Sequence, residues 1–80
     1  MVYCNLLSNT ENTVTYMYGA YEDDITGIFK VDLKDKSLEI IKEPEKKNYV
    51  FIRHIQYAIK KHYSGFLKGI FPDKIIYDNY

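Results

Sequence analysis

An α+β fold, a four-stranded antiparallel meander covered on one face by a single amphipathic helix, follows from three features of the sequence. Residues 27–42 alternate apolar and polar side chains on either side of a polar tetrad. Two earlier stretches, residues 2–7 and 13–20, have strand composition and are separated by turn-forming residues. A run of apolar residues at helical spacing then follows within residues 48–63. Period two marks half-buried strands and period 3.6 a helix lying on them.

In the first strand Val2, Cys4 and Leu6 alternate with Tyr3 and Asn5. Ser8, Asn9, Thr10, Glu11 and Asn12 form a turn, because their short polar side chains bond back to nearby backbone. The second strand is rich in Thr, Val and Tyr, types suited to a pleated surface. It places Val14, Tyr16 and Tyr18 on one side, Thr15 and Met17 on the other. After the acidic loop Glu22, Asp23 and Asp24, the third strand puts Phe29, Val31 and Leu33 on one face, with Lys30 and Asp32 opposite.

Lys34, Asp35, Lys36 and Ser37 make a connection around a type I turn, since no Asn-Gly or Asp-Gly pair is present to favour a primed turn. The fourth strand, residues 38–42, completes the hairpin. Glu43, Pro44 and Glu45 end the sheet, because proline lacks a ladder donor and acids favour the start of a helix.

The helix is expected over residues 48–63, with Phe51, Ile52, Ile55, Ala58, Ile59, His62 and Tyr63 inside an arc of roughly 140° that packs on the sheet. Ser64 and Gly65 supply its stop, since glycine tolerates the left-handed conformation after a helix. Phe66, Leu67, Ile70 and Phe71 are too apolar for a free tail, and residues 74–77 fit a short fifth strand at the C-terminus. Phe29, Val31, Leu33, Leu38, Ile40, Phe51, Ile55 and Ile59 are the expected core, and Thr15, Met17, Ile28 and Ile41 face outward.

Eighty residues make a single domain, residues 1–80. A chain of this size buries only about 60% of its unfolded surface, which disfavours a large enclosed cavity. Eleven basic and eleven acidic residues cancel, so no whole-protein field points to nucleic acid or to a membrane. Along the chain they separate. Residues 1–41 hold three lysines against seven acids, whereas residues 42–68 hold seven bases against two acids. The lone Cys4 allows no internal disulfide, no positive-then-apolar leader is evident, and no apolar run approaches the ~20 residues of a membrane span. A cytoplasmic protein is the expectation.

The candidate site is the arc of the helix opposite its apolar stripe, where Arg53, His54, Tyr57, Lys60 and Lys61 form one basic face with an aromatic in it. Such a face can hold an acidic protein patch or phosphates. Most charged helix faces are simply solvated. The nine tyrosines suit packing or a protein interface, and less readily base stacking.

The acidic loop lacks the spaced oxygens of a calcium loop. His54 and His62 lie about 12 Å apart along a helix axis, too far to share one ion, and Cys4 in a strand reads as a small apolar residue. No catalytic triad, metal set or cofactor motif is assembled. The expected function is a small non-enzymatic cytoplasmic interaction domain, self-associating as a homodimer through a sheet face or edge, with an acidic protein as the further partner. A nucleic-acid-binding accessory domain using the same helix face is the alternative.

Overall fold

The computed structural model describes residues 1–45 and 52–78. The strands are β1 (Val2–Asn9), β2 (Thr13–Gly19), β3 (Gly27–Asp32) and β4 (Leu38–Lys42); helix α1 (Ile52–Leu67) and strand β5 (Lys74–Tyr77) follow. They form one five-stranded antiparallel sheet in the order β4-β3-β2-β1-β5, with α1 on one face. The meander and the fifth strand are both present. β5 lines up beside β1 because the chain leaving α1 returns along the sheet, pairing Cys4 with Ile75 and Val2 with Tyr77.

Period two decides which side chains meet the helix. The cross-strand rows Cys4–Tyr18, Leu6–Tyr16–Phe29–Ile40 and Val14–Val31–Leu38 all lie on that face. Their centre is buried together with Ile55, Ala58, Ile59 and Phe66 of the helix. Aromatic rings fill the middle: Tyr16 stacks on Phe29 at 5.8 Å between centroids, and Phe66 lies 6.1 Å from Tyr16 and 5.6 Å from Phe71. Offset ring pairs of this kind add to the burial term. Leu38 and Ile40 are half-buried, because β4 is a sheet edge and α1 lies nearest β5, at the other edge. Phe51 lies outside the described residues.

Two expectations about the helix are corrected. Ser64 and Gly65 do not stop it: α1 continues to Leu67, and the left-handed residue is Gly69, at φ 79°. The amide of Gly69 donates to the carbonyl of Phe66 at 3.0 Å and that of Ile70 to Gly65 at 2.8 Å, satisfying carbonyls that the helix end would leave unpaired. The extra turn brings Phe66 into the core. Ile52, placed on the core stripe by the periodicity, is 52% exposed. The expected start of the helix at Asn48 lies outside the described residues.

On the other, open face, Lys74, Asn5, Met17, Ile28 and Lys42 form one row across the sheet. Lysines stand at both edges of that row, a common guard against edge-to-edge pairing. The β2–β3 loop folds back over this face so closely that a Cβ on Gly19 would lie 1.8 Å from the carbonyl oxygen of Asp24. Thr26 holds the loop down. Its hydroxyl donates to the Asp24 carboxylate at 2.7 Å and accepts the Glu45 amide at 2.7 Å, tying the loop to the segment that leaves β4.

Candidate functional site

The 100° rotation per residue of α1 turns Arg53, Lys60 and Lys61 to solvent and brings His54 and Tyr57 to the flank that meets the β5 edge of the sheet. Arg53, Lys60 and Lys61 are exposed, Tyr57 is 47% exposed and His54 is half-buried. The fold adds a sixth residue. Tyr77, at the end of β5, lies 6.2 Å from the ring of Tyr57 and 6.4 Å from that of His54. Tyr57, Lys60, Lys61 and Tyr77 line a shallow depression of about 680 Å³. No acidic residue lines it among the described residues.

Lys60 stands on a crest. On its other side a deeper groove of about 650 Å³ runs between α1 and the start of β4. Leu38, Ile52, Ile59 and Tyr63 give it apolar walls, and Lys36 and Lys60 supply its charge. Tyr63 fixes this side of the helix to the hairpin by donating its hydroxyl to the carbonyl of Leu33. Lys36 sits with its Nζ 4.7 Å above the Tyr63 ring centre, a cation–π contact.

The remaining titratable candidates fall elsewhere. Cys4 is buried between β2 and β5, and burial pushes its thiol up to about 12, which withholds the thiolate that nucleophilic or metal chemistry needs. His62 stacks on Phe66, and burial followed by the charge of Lys61 holds its pKa below the ordinary histidine value. Asp24 is buried at 2% exposure with its carboxylate turned in to Thr26 rather than outward with Glu22 and Asp23. Among the described residues no group of three or more His, Cys, Asp or Glu side chains could hold a metal ion, and no helix is long and apolar enough to cross a membrane.

The periodicity of α1 was enough to find the basic face. Tyr77 was missed because its place depends on β5 pairing with β1, a contact between residues distant in sequence. Lys36 was missed because it looks like an ordinary turn residue. Only the structure marks it, by φ 61°, a left-handed conformation in a residue that is neither glycine nor asparagine. No protein-family model matches the chain, and neither does any curated protein or solved structure.

Proposed function

We propose that this chain is a non-enzymatic cytoplasmic interaction domain that self-associates and presents the basic face of α1 to an acidic protein partner. The observation that carries the reading is the convergence of Tyr57, Tyr77, Lys60 and Lys61 on one exposed depression with no acid lining it among the described residues. Tyrosine is a residue that protein interfaces favour, because each ring buries a large area and keeps a polar tip, and the lysines beside it select for an acidic surface. The two rings are inclined by 45°, so successive bases could not stack on both as parallel planes. That geometry favours a protein segment over a nucleic-acid strand. Self-association uses the open sheet face, where Met17 stands opposite Ile28 and Ile76 is 61% exposed. An 80-residue chain gains stability by covering such a face.

The test is the variant Arg53→Glu/Lys60→Glu/Lys61→Glu, with far-UV circular dichroism to show that it folds. Binding of a polyglutamate probe and of a generic single-stranded RNA is measured at about 50 and about 200 mM salt. Polyglutamate binding that the variant loses supports the reading. RNA binding with a steep salt slope would move the domain to the nucleic-acid alternative, and an unchanged variant would return the face to plain solvated surface. Light scattering at micromolar and higher concentration tests self-association, which a persistent monomer mass would remove.

A further inference from the structure

We infer that the groove between α1 and β4 receives a short extended acidic segment of the partner, anchored by one bulky apolar side chain. The inference rests on the reading of the partner as acidic protein, and adds a site separate from the depression around Tyr77. The groove volume of about 650 Å³ is in the range of ligand pockets, large enough for one aliphatic or aromatic side chain with its flanking backbone. Leu38, Ile59 and Tyr63 offer an apolar surface for the anchor, and Ile52 leaves apolar surface exposed at the mouth.

Charge selects the flanking residues. Among the described residues Lys36 and Lys60 are the charged ones lining the groove and none is acidic, so carboxylates on either side of the anchor would meet ammonium groups. Lys36 is held for this role. Its Nζ is placed over the Tyr63 ring, and the residue keeps a left-handed conformation that glycine or asparagine would adopt at lower cost.

Backbone sets the extended form and the short length. Among the described residues β4 ends the sheet, and Leu38 at its start lines the groove, so a chain lying there meets the ladder groups at that end of the edge. Its regular pairing with β3 covers Leu38 to Ile40, and the register shifts beyond, next to Ile41. A bulge twists the edge away and limits strand addition to a few residues.

The experiment is amide chemical-shift mapping on the ¹⁵N-labelled full chain with the capped peptide Asp-Leu-Glu-Phe-Glu. Asp-Gly-Glu-Gly-Glu and Lys-Leu-Lys-Phe-Lys serve as controls. The acidic apolar peptide is expected to shift Lys36, Ser37, Leu38, Gln56, Ile59 and Tyr63, and the two controls to leave them unmoved. Lys36→Glu and Ile52→Ser, both at exposed positions, should each weaken binding about tenfold, equivalent to ~1.4 kcal/mol, with melting temperature as the folding control. Equal binding of the glycine control, or shifts confined to Arg53, Tyr57 and Lys61, would overturn the groove while leaving the basic face in place. Groove binding that survives Arg53→Glu/Lys61→Glu would keep the groove even if those residues contribute nothing. Groove amides that move with protein concentration alone would make the occupant a second copy and overturn the inference.

Discussion

The hydroxyl of Tyr16, at the centre of the sheet, donates to the carbonyl of Pro72 at 2.8 Å, joining β2 to the segment that leads into β5. The ring is fully buried between Phe29 and Phe66, so this hydrogen bond is the polar exit of an otherwise apolar core residue. Tyr16→Phe keeps the ring and deprives the Pro72 carbonyl of its donor. A loss of about 1–2 kcal/mol in urea unfolding is expected. Tyr16→Ala, which also opens a cavity, should cost about 3–5 kcal/mol.

The two glycines near the end of α1 should respond in opposite directions to alanine. Gly65 is inside the helix, and a Cβ there would meet Ile70 at 3.6 and 3.8 Å, ordinary contact distances. Gly65→Ala is expected to stabilise by about 0.5–1 kcal/mol through helix propensity. Gly69 has open space around it but a φ of 79°, so Gly69→Ala should destabilise by about 1–2 kcal/mol. Thermal unfolding of the two single variants reads the sign directly.

That contrast shows where the sequence was legible. The faces of β2 and β3 could be read from alternation because a strand residue's side depends on its neighbours alone, and Val14, Tyr16, Phe29 and Val31 are buried accordingly. Which of two nearby glycines takes the left-handed conformation is decided by packing instead. Phe66 reaches the rings of Tyr16 and Phe71 when the helix runs one turn beyond Ser64, and local sequence carries no record of that gain. The same holds at the site: Arg53, Lys60 and Lys61 share a helix face by rotation, whereas Tyr77 and Lys36 reach it through strand pairing and a turn.

The register of α1 can be tested with Ile55 and Ile52. Ile55 is buried and Ile52 is 52% exposed, although both are isoleucines separated by a single turn. Ile55→Ala should cost about 2–5 kcal/mol. Ile52→Ala should stay within about 0.5 kcal/mol, the range of surface substitutions. Equal losses in chemical denaturation would mean that Ile52 packs in the core, and would remove it from the groove.

Alkaline pH should destabilise the fold through Cys4 and Tyr16. Burial pushes both groups up to about 12; for Tyr16, the charges of Cys4 and Asp73 add to it. In the unfolded chain the thiol ionises near 8.5 and the phenol near 10. Above those values the unfolded chain holds fewer protons than the folded one, so stability falls as pH rises. The contribution is fully present below about pH 8.5 and is lost progressively up to about pH 12, the thiol acting first. Urea midpoints measured along that range should therefore begin to fall near pH 8.5–9 in the natural chain and near pH 10 in Cys4→Ala, which retains the phenols of Tyr16 and of Tyr18, the latter also raised, by burial first and then by the charge of Glu43. Coincident onsets in the two proteins would show that the Cys4 thiol ionises alike in the folded and unfolded states.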